Sequence, residues 1–313
     1  MRILSIDGGG LRGVFAANLL QRIRDAYGLR FHEAFDLIVG TSSGSITAAA
    51  LAIDYPLEKV TELFDDSAGH VFKKRWFGAF GLFAARYDKA SLAAELGKVF
   101  GERRMSDALS LLLIPATNIE TGGIHLFASR YLNVDRGFVT DTTHVKMVDA
   151  VLASCAAPSF FSPHVIDGEL LVDGGLWANN PAMLGLVDAM LRFKPEFKDI
   201  SMLSIGAGSG YHPYAFKHRL PMSWGVLTGL GLMKPYELIL ALQANSFSKF
   251  PGLVLSPDKF LRLNFENPHK VRLDNMRTIP ELKRMAAEVF EHKRDAIGAF
   301  VAKLQGSGAA SLS

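Results

Sequence analysis

The chain is poor in cysteine, in charge bias and in long apolar runs, and each shortage removes a class of protein. Cys155 is the single cysteine among 313 residues, which excludes an intrachain disulfide framework and a cysteine-rich zinc site. No metal or cofactor is expected. No apolar run reaches the roughly 18 residues of a membrane-spanning helix. The opening Met1-Arg2-Ile3-Leu4-Ser5-Ile6-Asp7 turns acidic too early for a secretory leader, so a cytoplasmic protein is expected. Charge is nearly balanced, with 34 Lys and Arg against 31 Asp and Glu, net +3. Spread along the chain, that is no footprint for DNA or RNA, though mild basicity suits an anionic membrane face. Repeats, low-complexity stretches and linkers are absent too. Residues 1–305 are therefore expected to form one domain, and 306–313, small and polar, a disordered tail.

What is present is an ordinary globular composition, 49% hydrophobic and 21% charged, arranged as alternating strand and helix patterns. Arg2 to Ile6 reads as a buried strand. It runs into Asp7-Gly8-Gly9-Gly10-Leu11-Arg12-Gly13 and then a helical pattern from Val14 to about Tyr27. A second strand leads into Gly40-Thr41-Ser42-Ser43-Gly44, followed by a small-residue helix from Ile46 to Ile53. Helices are expected over Leu57 to about Ala68, Tyr87 to Phe100 and Lys146 to Ala153, and one long terminal helix over Pro280 to Leu304. Strands are expected over Leu111 to Ala116, Ile124 to Ser129, Ile200 to Ile205 and Leu261 to Phe265. Phe161–Ile166 and Glu169–Val172 read as a hairpin around Asp167-Gly168. This order predicts an α/β fold with a mostly parallel central sheet.

The chemistry concentrates at the ends of the first two strands. Gly8-x-Gly10-x-x-Gly13 fits a dinucleotide fingerprint, but that reading needs an acidic residue closing the next strand. Asp36 instead begins that strand, which closes in Gly40-Thr41-Ser42. The alternative use is as an anion cradle, because backbone N–H groups of a glycine loop at a helix N-terminus stabilise developing negative charge. Gly40 and Gly44 flank Ser42 in the G-x-S-x-G pattern of a nucleophile elbow, where a serine on a tight strand-to-helix turn needs small neighbours at plus and minus two. The same frame fits neither Ser43 nor Ser45, so Ser42 is the candidate nucleophile. A serine hydroxyl needs a base. His212, His218, His269 and His292 follow in the order of a Ser-His-Asp esterase, and Asp173, at a strand end before Gly174 and Gly175, could act as the base itself. Asp7 reads as a brace for the glycine loop and Asp167 as a turn former.

Four motifs together carry a resemblance: Asp7-Gly8-Gly9-Gly10-Leu11-Arg12-Gly13, Gly40-Thr41-Ser42-Ser43-Gly44, Ala153-Ser154-Cys155-Ala156-Ala157-Pro158 and Asp173-Gly174-Gly175. In this order, over residues 3 to about 210, the chain resembles the patatin-like phospholipases. The last of the four departs mildly, with Asp-Gly-Gly where many members have Asp-Gly-Ala. The resemblance implies a three-layer α/β/α fold and a lipid acyl hydrolase with a Ser42–Asp173 dyad. It also implies an oxyanion hole from Gly8, Gly9 and Gly10, and Arg12 with Gly13 supporting the loop or facing phosphate. The implied substrate is a membrane phospholipid met at the inner membrane face. The compact length and the Phe72 to Tyr87 region are also similar to bacterial patatin-like effectors switched on by cyclic dinucleotides in anti-phage defence. That likeness implies a cyclic dinucleotide activator, with Lys73, Lys74, Arg75, Trp76, Arg219 and Trp224 available to bind it. A homo-oligomer, and a non-catalytic lipid- or nucleotide-binding protein on the same scaffold, stay open on sequence alone.

Overall fold

The computed structural model describes residues 1–71, 85–130, 140–209, 235–266 and 276–306. At its centre is an eight-stranded mixed sheet: β1 (Arg2–Ile6), β2 (Leu37–Gly40), β3 (Leu111–Asn118), β4 (Gly123–Ala128), β5 (His164–Ile166), β6 (Glu169–Asp173), β7 (Ser201–Ile205) and β8 (Phe260–Leu263). The order is β5-β6-β3-β2-β1-β7-β8, with β4 also paired to β3. Strands β3, β2, β1, β7 and β8 run parallel, while β4, β5 and β6 are antiparallel additions. Both faces of the parallel part are covered, as continuous Ile/Leu/Val strands require.

Twelve helices occur among the described residues: α1 (Gly13–Tyr27), α2 (Phe31–Ala34), α3 (Ser43–Ala52), α4 (Leu57–Val71), α5 (Lys89–Phe100), α6 (Met147–Ser154), α7 (Gly175–Ala178), α8 (Ala182–Phe193), α9 (Pro235–Phe247), α10 (Pro251–Val254), α11 (Ile279–His292) and α12 (Arg294–Gly306). Alternation along the strands divides the core. Leu4, Ile6, Ile38, Leu112 and Ile114 face α1, α3, α5, α6 and α11, whereas Ile3, Leu37, Val39, Leu111 and Leu113 face α8. The expected α/β/α layering is therefore present.

Local differences from the sequence reading have physical reasons. The elbow helix starts at Ser43 rather than Ile46, because Ser43, Gly44 and Ser45 form its first turn with the Gly44 and Ser45 N–H groups on the Thr41 and Ser42 carbonyls. The helix expected from Tyr87 begins at Lys89, where the Asp88 side chain caps the Ala90 N–H. The first hairpin arm shortens to His164–Ile166, beyond Pro163, and turns through Asp167 and Gly168 at φ 52° and 84°. The long terminal helix breaks at Lys293, so that α11 lies along α1 while α12 turns to touch β8. The Phe72–Phe83 aromatic stretch, most of the Tyr131–His144 loop, the Tyr211–Lys234 segment and the 307–313 tail lie outside the described residues.

Candidate active site

Strand pairing brings two distant chain segments to one point. The parallel strand β2 pairs with β3 at Leu111–Leu113, and the antiparallel strand β6 pairs with it at Ala116–Asn118. Strand β4 overlaps both stretches, from Leu113 to Asn118, so it occupies the opposite edge. Hence β2 and β6 lie end to end along a single edge of β3, their C-termini pointing at each other. Pro115 falls in the junction, where its missing N–H breaks neither ladder.

At the end of β2 the chain turns through Ser42 at φ 52°, ψ −129°, a region that side chains rarely adopt and that costs of order 1–3 kcal/mol. The surroundings enforce it. A Cβ on Gly40 would lie 2.5 Å from the Gly44 carbonyl oxygen, and one on Gly44 would lie 2.5 Å from that of Ile6. The Ser42 N–H donates to Ser154 Oγ at 3.0 Å, and Ser154 Oγ–H donates to the Pro115 carbonyl at 2.7 Å. The small-residue end of α6 is thereby tied to the elbow. Cys155, next along, is buried near Ser45 Oγ, and burial pushes its thiol well above its usual range. It is held as an inert thiol.

Across the junction, Asp173 ends β6 with 1% of its surface exposed. Ser42 Oγ–H donates to Asp173 Oδ2 at 2.8 Å. The other oxygen, Oδ1, accepts the Gly175 N–H at 2.6 Å. Thr117 Oγ1–H donates to the Asp173 carbonyl at 2.9 Å, fixing the backbone beneath. Gly174 permits the approach, since a Cβ there would sit 2.3 Å from the Pro115 carbonyl oxygen. The buried carboxylate therefore has a fixed orientation and one oxygen aimed at the serine.

The glycine loop stands at the end of β1, beside the elbow. The Gly9 N–H donates to Ser43 Oγ at 3.2 Å, and Arg12 Nε donates to the Gly9 carbonyl at 3.3 Å. Gly13 starts α1, where a Cβ would lie 3.0 Å from both Ser43 Oγ and Phe64. No acceptor is found for the Gly10 N–H among the described residues, and Gly10 itself has φ 56°. Gly8 corrects the expectation. Its N–H is committed to the Asn179 carbonyl at 2.9 Å, so it is not available to an oxyanion. Asp7, 2% exposed, is gripped by Arg262 of β8. Burial pushes its carboxyl above the ordinary range, and Arg262 works in the opposite direction.

Of the histidine candidates, His212, His218 and His269 lie outside the described residues, while His292 is exposed at the end of α11. The six basic and aromatic residues suggested for a cyclic dinucleotide also lie outside them. Sequence reasoning gave no role to Thr117 or Arg262, and placed Ser154 and Asn179 only within motifs, without their contacts. Ser154 was the most accessible of these, because a serine within a run of alanines invites a search for its partner.

Residues 4–186 match the family model described as patatin-like phospholipase. A cGAMP-activated phospholipase of Vibrio cholerae is 30% identical over 306 residues, 88% of this chain and 84% of that protein. A cUMP-AMP-activated phospholipase of Escherichia coli is 32% identical over 215 residues, 66% of this chain and 64% of that protein. Patatin-like protein 4 of Arabidopsis thaliana is 28% identical over 259 residues, 71% of this chain and 63% of that protein. The matched span contains the glycine loop, the elbow and Asp173, and with the layered sheet around them the chain belongs to the patatin-like phospholipase family.

Proposed function

We propose that the protein is a lipid acyl hydrolase that cleaves acyl esters of membrane phospholipids, with Ser42 as nucleophile and Asp173 as general base. The observation that carries this reading is the 2.8 Å hydrogen bond from Ser42 Oγ to Asp173 Oδ2 on a positive-φ turn. On this mechanism Ser42 Oγ attacks the ester carbonyl as its proton passes to Asp173 Oδ2. The Gly9 and Gly10 N–H groups face the developing oxyanion, Gly9 exchanging its long contact with Ser43 Oγ for the stronger charged acceptor. Asp173 returns the proton to the departing alcohol, leaving an acyl-Ser42 ester. Water then attacks that ester, gives its proton to Asp173 and releases the fatty acid as Ser42 Oγ regains a proton. A carboxylate base has no tautomer to set, so a third residue is not required.

The substrate lies in a bilayer, and no helix among the described residues is long and apolar enough to span one. On this reading the protein meets its substrate from the membrane surface, at its inner face. The names of the Vibrio and Escherichia relatives support a cyclic dinucleotide as activator. The test is mass spectrometry of phospholipid vesicles incubated with wild type, Ser42→Ala and Asp173→Asn, with and without cyclic dinucleotides. Fatty-acid release that both substitutions abolish is expected. Release surviving Asp173→Asn but lost on replacing His212 or His218 would overturn the dyad in favour of a histidine base.

A further inference from the structure

Helix α7 is a single turn between Asp173 and α8, and one turn is too short to hold itself. Its last carbonyls have no partner within the helix and must find one elsewhere. Three consecutive carbonyls do so, each on a different element. The Trp177 carbonyl accepts Gln243 Nε2–H of α9, and the Ala178 carbonyl accepts Thr41 Oγ1–H of the elbow at 2.6 Å. The Asn179 carbonyl accepts the Gly8 N–H of the glycine loop at 2.9 Å. At the other end the Gly175 N–H donates to Asp173 Oδ1. Residues 175–180 therefore meet the carboxylate, the serine turn and the glycine loop at once.

Gln243 grips this segment from outside. Its Oε1 also accepts the Asn180 N–H at 2.8 Å, so one half-buried amide holds a carbonyl and an N–H three residues apart. Of the side chains long enough to reach, only glutamine carries a neutral donor and an acceptor on one planar group. Turning the amide over would set carbonyl against carbonyl and N–H against N–H, so its orientation is fixed. The packing beneath leaves little slack. A Cβ on Gly175 would lie 2.7 Å from Leu240 Cδ2 of α9, and one on Gly8 would lie 2.5 Å from Asn179 Oδ1. In so dense a setting a shift of Trp177 to Asn180 passes both to the glycine loop and to Asp173.

We infer that Gln243 is a positioning residue for ester hydrolysis: by clamping Trp177 and Asn180 it keeps the glycine loop and the Asp173 carboxylate in register with Ser42. It acts through residues 175–180, and the inference rests on the Ser42–Asp173 reading. A misplacement of about 1 Å can cost on the order of a hundred-fold in rate. Loss of the clamp is therefore expected in turnover and not in substrate binding.

The test follows hydrolysis of monomeric p-nitrophenyl butyrate and fluorophosphonate labelling of Ser42, in the condition, with or without cyclic dinucleotide, in which wild type turns over. Gln243→Met keeps the length of the side chain and removes both hydrogen bonds. Its kcat should fall about ten- to a hundred-fold with KM within about two-fold, and labelling should slow in parallel. Leu242→Ala, next along α9 and 57% exposed, should match wild type. Gln243→Glu separates positioning from mere packing. Ionised, it sets a second oxygen against the Trp177 carbonyl; protonated, its O–H restores that bond while the other oxygen keeps the Asn180 N–H. Its kcat relative to wild type should therefore rise as pH falls from 8 to 5, while the Gln243→Met ratio stays flat. Should Gln243→Met fail to fold, the pH dependence of Gln243→Glu decides alone. A Gln243→Met variant with wild-type kcat, a loss carried by KM alone, or a Gln243→Glu ratio indifferent to pH would overturn the clamp while leaving the dyad standing. Full turnover in Asp173→Asn would instead remove the dyad reading, and the clamp with it.

Discussion

Arg262 reaches across β7 and donates to both carboxylate oxygens of Asp7, at 2.9 and 2.5 Å, while also donating to Ser204 Oγ at 2.7 Å. A strand at one edge of the sheet thereby holds the root of the glycine loop. Removing one member of a buried pair costs about 3–5 kcal/mol, because the other is left charged and unpaired. Arg262→Met should lose stability of that order. The sign with pH follows from Asp7, whose folded pKa lies above its reference value of 3.8. Such a group binds more protons folded than unfolded, so stability is fully present below 3.8 and lost as pH rises through the folded pKa. Taking away Arg262 removes the opposing pull and enlarges that loss. Thermal unfolding of the variant from pH 4 to 8 should show a steeper decline than wild type, and Asp7→Asn in the same chain should flatten it.

Ser42 is held at φ 52°, ψ −129°, where glycine alone is comfortable. Ser42→Gly should therefore be more stable than Ser42→Ala by about 1 kcal/mol, the relief of strain exceeding glycine's entropic cost. Both should be inactive. Paired urea titrations measure the difference, and equal midpoints would mean that the turn stores no strain.

Ser154 links the elbow to β3 through two hydrogen bonds, from the Ser42 N–H and to the Pro115 carbonyl. Ser154→Ala leaves both backbone groups without that partner, at about 1–3 kcal/mol each if buried and unpaired. Loosening of the elbow should slow fluorophosphonate labelling of Ser42 by ten-fold or more. Ser154→Thr, which retains the hydroxyl, should recover part of the rate.

Gly174 and Gly97 form a matched pair for measuring crowding. A Cβ on Gly174 would lie 2.3 Å from a backbone oxygen, whereas one on Gly97, within α5, meets nothing within 4 Å. Gly174→Ala should cost about 3 kcal/mol or more and separate Asp173 from Ser42. Gly97→Ala should stabilise by up to about 1 kcal/mol. Calorimetric melting of the two variants decides this.

The parts legible in the sequence are those where local chemistry and fold coincide. Gly40, Gly44, Gly174 and Gly13 are required by contacts of atoms a few residues away or one strand across, and such requirements leave a spacing pattern. The alternation of Ile, Leu and Val likewise exposes β1 and β2. Arg262 left no such trace. Its strand is four residues long and mostly half-buried, and its partner Asp7 is fixed by register across β7 rather than by distance along the chain. The end-to-end meeting of β2 and β6 was equally hidden, because the hairpin β5–β6 declares its own turn but not the strand it docks against. Gly8 was misread for the opposite reason: its place in a glycine run suggested a free N–H, and only the fold supplies the Asn179 carbonyl that occupies it.

The Asp7–Arg262 pair also bears on when the protein can act. With the proposed dyad, the loop that would stabilise the intermediate is clamped from residue 262, and the base comes from residue 173. A growing chain that has made the elbow lacks both. At synthesis rates of about 5–20 residues per second, tens of seconds separate Ser42 from Arg262. The nascent chain is thus expected to stay unarmed until β8 has been made. Arrested chains ending before and after β8 should differ in fluorophosphonate labelling accordingly.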